Sequence, residues 1–233
     1  MAIRIAFDID GVLADFAAAF REVELRLFGP ASAVGFERPE IEAEHEEAVA
    51  ARATAEAVRP VDGRRRRDVI WKAIRETPDF WTLLKPLDPT AVARIHEMMV
   101  RKRWEVVFIT QRPSTAGQTV QRQTQVWLRD QGFEMPSVLV IAGSRGAAAA
   151  ALRLNFHVDD NPQNCLDIVA DSKARAFLIV PEGDEVTEKA ARRLGVAVAR
   201  SVGEVLDLLG ELPNSGNPDA GILERLARMI GWK

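Results

Sequence analysis

A chain of 233 residues, 47% hydrophobic and 28% charged, is long enough for one sizeable core carrying a smaller inserted module, and its composition excludes a disordered or fibrous protein. Its 31 basic and 34 acidic residues leave a formal net charge of -3, which excludes the broad positive field of a protein that wraps a nucleic acid polymer. The single cysteine, Cys165, excludes an internal disulfide, and no stretch approaches the ~18 uncharged apolar residues of a membrane span. The N-terminal apolar run is broken by Arg4 and then by carboxylates, unlike a signal peptide, so the expected location is the cytoplasm.

Ile3 to Phe7 is a short apolar run that ends in Asp-Ile-Asp-Gly, the pattern of a buried strand opening into a polar loop. Similar runs recur at Trp104 to Ile109, Val138 to Ile141, Phe156 to Val158 and Ala176 to Val180. Helical patterns lie among them at Thr90 to Arg103, Thr115 to Gln131, Pro162 to Asp171, Asp184 to Leu194 and Val202 to Leu209. Strands alternating with helices of this length predict an α/β fold, a mainly parallel sheet covered on both faces, with its site beyond the carboxyl ends of the strands.

The segment from Phe16 to Leu83 breaks the alternation. It is rich in Ala, Glu and Arg, holds no convincing strand, and predicts helices over Asp15 to Phe28, Pro39 to Val58 and Arg64 to Glu76. The expected organisation is therefore a core of residues 1–15 and 84–210, an all-helical insert over 16–83, and a tail over 211–233 with a short amphipathic helix near Ile222 to Ile230. That helix has two places to dock, the core or a second subunit, and the second would make a homodimer.

Three of the predicted strands end in groups that bind metal or phosphate. The first ends in Phe7-Asp8-Ile9-Asp10-Gly11; residues two apart on an extended segment share a side, so Asp8 and Asp10 both face the region above the sheet. Two carboxylates that close repel unless a cation or proton separates them, and Mg2+ suits them as a hard ion that also accepts waters and phosphate oxygens. The second ends in Thr110-Gln111-Arg112-Pro113, where the Thr110 hydroxyl and backbone N–H can meet a phosphate oxygen. The third ends in Asp159-Asp160-Asn161-Pro162. Any one of these is also explained by turns and helix caps; their joint occurrence is not.

In this order the motifs resemble those of the haloacid dehalogenase superfamily: Asp-x-Asp after the first strand, a Thr after the second, a basic residue, and a terminal acid pair. The resemblance implies a Rossmann-like three-layer core with a helical cap inserted just after the first motif. More narrowly, Asp8 to Phe16, with Phe80-Trp81 ahead of Leu84-Lys85-Pro86-Leu87, is similar to the 5'(3')-deoxyribonucleotidase branch. It implies in-line attack by Asp8 on phosphorus, proton transfer by Asp10, and Mg2+ held by Asp8, the Asp10 backbone carbonyl and Asp159 with Asp160 in support. Thr110 would hold the phosphate, and Phe16, Phe80, Trp81, Gln111 and Arg112 would line the substrate pocket.

One departure from the family pattern is visible. No Lys lies between Thr110 and Asp159, so the basic motif falls to Arg145, in Gly143-Ser144-Arg145-Gly146, with Arg153 as the second choice. The expected partner is a small phosphorylated substrate, a nucleoside 5'-monophosphate or deoxynucleotide, with a sugar or other small organic phosphate as the alternative. A receiver-type signalling domain fits less well, because its phosphorylated Asp comes later in the chain. A catalytically silent binding protein is disfavoured by the presence of both Asp8 and Asp10.

Overall fold

The computed structural model describes residues 2–30 and 61–212. The helix expected over 39–58 and the one expected near 222–230 lie outside the described residues. Six strands form a single sheet: β1 (Arg4–Asp8), β2 (Glu105–Thr110), β3 (Ser137–Val140), β4 (Phe156–Asp159), β5 (Arg175–Ile179) and β6 (Ala197–Ala199). Their order is β3-β2-β1-β4-β5-β6 and every pairing is parallel. The expected strands are present, and β6 is an addition; three residues, Ala-Val-Ala, give no period that could be told from a loop.

The helices are α1 (Phe16–Phe28), α2 (Val61–Glu76), α3 (Pro89–Lys102), α4 (Val120–Asp130), α5 (Arg145–Leu152), α6 (Pro162–Asp171), α7 (Glu185–Arg193) and α8 (Val202–Gly210), with a 3₁₀ turn at Phe80–Thr82. Their starts follow capping chemistry. Asp88 accepts hydrogen bonds from the Thr90 and Ala91 amides ahead of Pro89, and Asn161 accepts one from Gln163 ahead of Pro162. Two helices depart from expectation. α4 begins at Val120 and not Thr115, because the loop before it is recruited elsewhere: the Ala116 amide donates to the Arg75 carbonyl and the Asp79 amide to the Ala116 carbonyl. α5 is an addition to the expected helices; the Ser144 hydroxyl caps it and a run of alanines, strong helix formers, carries it.

β1, β2 and β5 are apolar on both sides, as a buried parallel strand requires, whereas β4 turns His157 and Asp159 to one side. Ile5 and Phe7 of β1, Phe108 of β2 and Phe177 of β5 pack into one core with α3, α4 and α8. Ala6, Ile109, Ala176 and Leu178 point the other way, into a second core with α5 and α6. The chain runs outward from β1 to β3 with helices on the first face, then returns to β4 and continues to β6 through helices on the second. Connections therefore leave β1 and β4 on opposite faces, which opens a crevice at their carboxyl ends.

α1 and α2 belong to the segment between β1 and α3 and pack on each other through Phe16 and Phe20 against Trp71. Where that segment leaves and rejoins the sheet, its two ends are tied: the Asp15 amide donates to the Lys85 carbonyl and the Leu87 amide to the Leu13 carbonyl, both at 2.8 Å. Among the described residues, no helix is long and apolar enough to cross a membrane.

Candidate active site

Asp8 is the last residue of β1 and Asp159 the last of β4, and the register that sets Phe7 beside Val158 brings the two carboxylates together. With Asp160 they form a trio whose oxygens lie within 4.8 Å of one another. Asp8 and Asp159 are buried. Burial, and next the charge of Asp159, push the Asp8 carboxyl well above the ordinary carboxylate range, with the Arg145 guanidinium pulling the other way. Gly11 makes the approach possible: at φ 81° it occupies the left-handed region, and a Cβ there would come within 2.0 Å of an Asp160 carboxylate oxygen. Three hard oxygen donors at this spacing fit Mg2+.

Asp159 is fixed from below and from the side. His157, two residues earlier on the same side of β4, brings its Nε2 to 2.8 Å from Asp159 Oδ2. At the start of α6 the Asn161 amide donates to Oδ1 at 2.8 Å, and Asn164 Nδ2 reaches both carboxylate oxygens at 3.1 Å. Four bonds from two side chains and one backbone amide leave this carboxylate little freedom to turn.

Arg145 supplies the basic group. It opens α5, is buried, and donates from Nη2 to Asp8 Oδ1 at 3.0 Å. Among the described residues its Nε and Nη1 have no hydrogen-bond partner, although Nε lies 3.9 Å from Asp159 Oδ2. Gly146 sets how close it can come, since a Cβ there would sit 2.0 Å from the Asp167 carbonyl oxygen of α6. Arg153, the alternative, caps the opposite end of α5 with its side chain exposed and does not reach the site.

Asp10 sits at the rim of the same crevice, but its carboxylate is turned to Arg112. Arg112 Nε donates to Asp10 Oδ2 and Nη2 to Oδ1, both at 2.7 Å, a two-bond fork. The buried Thr110 hydroxyl lies 3.4 Å from Asp10 Oδ2. Arg112, expected to grip substrate, thus lines the cleft while its donors are engaged within the protein.

The other end of the cleft is aromatic. Phe16 stacks on Trp71 at 5.5 Å between ring centroids and meets Trp81 at 5.6 Å. These three rings line the cleft with Leu87 and Gln111. Phe80 does not join the lining. It sits behind Trp81, edge-on at 5.1 Å, and supports that ring. Sequence reasoning missed Trp71, His157 and Asn164. The His157–Asp159 spacing on a strand, and Asn164 one turn past a capping Asn, were the signals for two of them; Trp71 lies far from any motif.

Comparison with known proteins agrees with this geometry. The family described as 5' nucleotidase, deoxy (pyrimidine), cytosolic type C protein matches residues 1–181. No curated protein matches the chain. Among solved structures, a phosphonoacetaldehyde hydrolase-like protein from Oleispira antarctica has a TM-score of 0.53 at 14% identity, covering 97% of this chain and 94% of that one. A hydrolase from Pseudomonas syringae has a TM-score of 0.51 at 13% identity, covering 91% and 99%. A haloacid dehalogenase-like family protein from Streptococcus pneumoniae has a TM-score of 0.50 at 11% identity, covering 88% and 97%. These likenesses establish the fold, and the family match covers both ends of the crevice. The chain belongs to the 5' nucleotidase, deoxy (pyrimidine), cytosolic type C family and is a phosphatase of the haloacid dehalogenase type.

Proposed function

We propose that this protein hydrolyses the phosphate of a nucleoside 5'-monophosphate or deoxynucleotide, using Asp8 as nucleophile and Mg2+ as cofactor. The observation that carries the proposal is the buried Arg145, bonded to Asp8 by one nitrogen and holding two nitrogens without a partner in the same cleft. A buried guanidinium with unused donors beside a carboxylate nucleophile matches a bound phosphate, which would accept the missing bonds. Bound by the oxygens of Asp8, Asp159 and Asp160, Mg2+ would offset the repulsion between that carboxylate and an anionic phosphate.

Within this reading an Asp8 oxygen forms a bond to phosphorus as the bond from phosphorus to the nucleoside oxygen breaks, and Asp10 gives that oxygen a proton. Water then attacks the aspartyl phosphate, losing its proton to Asp10, and phosphate leaves with Asp8 regenerated. The Thr110 hydroxyl and Arg145 hold the phosphate oxygens in line. Phe16, Trp71 and Trp81 offer flat apolar faces for a nucleobase, and Gln111 offers an amide to its polar edges. The segment over 16–83, which contributes Phe16, Trp71 and Trp81, acts as the cap that selects substrate.

The test is phosphate release from nucleoside monophosphates, deoxynucleotides and sugar phosphates, with Mg2+ or EDTA, by wild type, Asp8→Asn and Arg145→Ala. Nucleotide hydrolysis that EDTA abolishes, that Asp8→Asn lowers by at least about 10⁴-fold and Arg145→Ala by about 10² to 10³-fold is expected. Turnover surviving in Asp8→Asn would remove the nucleophile from this scheme.

A further inference from the structure

Two arginines enter the cleft, and their donors are used in opposite ways. Arg145 keeps two nitrogens without partners, whereas each of the three nitrogens of Arg112 has one. Nε and Nη2 fork onto the Asp10 carboxylate and Nη1 donates to the Thr124 hydroxyl at 3.0 Å. The Arg112 side chain is 1% exposed and that of Asp10 22%. The Trp81 ring closes the remaining side, its centroid 4.8 Å from the guanidinium carbon.

The frame around this guanidinium is itself fixed. The Trp81 amide donates to Gln123 Oε1 at 3.1 Å, and its indole N–H donates to the Pro113 carbonyl at 3.0 Å. Gln123 and Thr124 are fully buried in the first turns of α4, so the frame rests on the core of the fold. A buried ion pair adds little to stability relative to well-packed apolar side chains, so this one invites a reason in geometry. A carboxylate oxygen offers two lone pairs, and a fork takes one from each. The remaining pair on Oδ1 keeps a set direction, while Oδ2 also accepts from the Thr110 hydroxyl at 3.4 Å, and Asp10 lines the cleft.

We propose that Arg112 is a positioning residue that fixes the Asp10 carboxylate for proton transfer, braced by Thr124 and by Trp81, and that it does not bind substrate phosphate. The inference rests on the phosphatase reading of the site for the role it gives Asp10. Trp81 also lines the aromatic wall, so the ring that meets substrate is the ring that holds the positioning guanidinium in place.

The test compares wild type with Arg112→Ala and Arg112→Lys in the full chain, at saturating Mg2+ and with the best nucleotide substrate. Arg112→Ala should lose about 10² in kcat, within the range of general acid–base catalysis, while KM stays within about threefold. Guanidinium added at non-denaturing concentration should restore part of that kcat and ammonium should not, since only the planar fork spans both oxygens; for the same reason Arg112→Lys should remain well below wild type. A rise in KM with kcat preserved would overturn the proposal and make Arg112 a substrate contact, as would a folded Arg112→Ala that guanidinium fails to rescue. If Arg112→Ala does not fold, Thr124→Val tests the brace alone: a lower kcat at unchanged KM supports the frame, and unaltered kcat refutes it. A wild type inactive on every phosphomonoester would sink the phosphatase reading without touching the geometry. Crystal structures of wild type and Arg112→Ala then decide, because an Asp10 carboxylate that keeps its place without Arg112 refutes the positioning role.

Discussion

The two ends of the cleft are built from different materials. At one end the carboxylates stand on strand termini, Asp8 on β1 and Asp159 on β4, and a dense set of charged and amide hydrogen bonds fixes them. At the other, Phe16, Trp71 and Trp81 come from α1, α2 and the 3₁₀ turn and meet through ring faces. Sheet register determines positions to a fraction of an ångström, which in-line chemistry at phosphorus needs. Ring packing tolerates substitution and shape change, which suits a surface that chooses among substrates. Changes at the acid end should therefore alter rate and metal use, and changes at the aromatic end should alter which substrate is accepted.

The largest expected effect at the acid end short of removing Asp8, Arg145 or Arg112 is from Gly11→Ala. Its Cβ would displace the Asp160 carboxylate, and the side chain would sit in a left-handed conformation costing on the order of 1–3 kcal/mol. The Mg2+ concentration for half-maximal activity should rise about 10 to 100-fold with saturating kcat less affected, read from a metal titration. An unchanged metal requirement would mean that Asp160 contributes nothing to the site.

At the aromatic end the effect is smaller and selective. Trp71→Ala should raise KM for a nucleotide about tenfold, the loss of one stacking face, and leave kcat/KM for a small phosphate such as a glycerol phosphate within about twofold. Equal losses on both substrates would show that the two ends do not act separately.

The smallest effect is thermodynamic. Burial first, then the neighbouring Asp159, raise the Asp8 carboxyl in the folded, metal-free protein above its value of 3.8 in the unfolded chain. The protonated form is thus favoured by folding. Below the unfolded value both states are protonated and Asp8 costs nothing; as pH climbs toward the folded value the unfolded chain ionises first and stability falls. Under the proposed function Mg2+ would bind the ionised form and offset this loss, so the rise in melting temperature on adding Mg2+ should be smaller at about pH 5 than at about pH 8. With free Mg2+ at about 100 times its Kd the gain is about 2.7 kcal/mol. A gain independent of pH would separate Asp8 from the metal.

The acid end was also the more legible end in the sequence. Asp8, Asp10, Thr110 and the Asp159-Asp160 pair each close an apolar run, and strand termini can be read because a buried parallel strand is a continuous apolar segment. The parallel α/β order followed from the same runs, and the edge strand β6 escaped because Ala197 to Ala199 is too short to register. Arg145 was preferred, with Arg153 as the second choice, and the fork from Arg112 onto Asp10 had no signal in the sequence. At the aromatic end Phe16 and Trp81 were found through their nearness to motifs, while Trp71 was not, and Phe80 was given a place in the lining that it does not take.

The sequence by itself determined which residues close the strands, because local polarity and period decide where a buried strand stops. Tertiary structure alone decided which neighbours those residues meet. Gly146 against α6 brings Arg145 to Asp8, the loop over 115–119 leaves Thr124 to face Arg112, and the packing of α1 on α2 sets Trp71 against Phe16, which also meets Trp81. These pairs lie many residues apart in the chain, and their meeting depends on helix packing distances and side-chain direction, which no local pattern encodes.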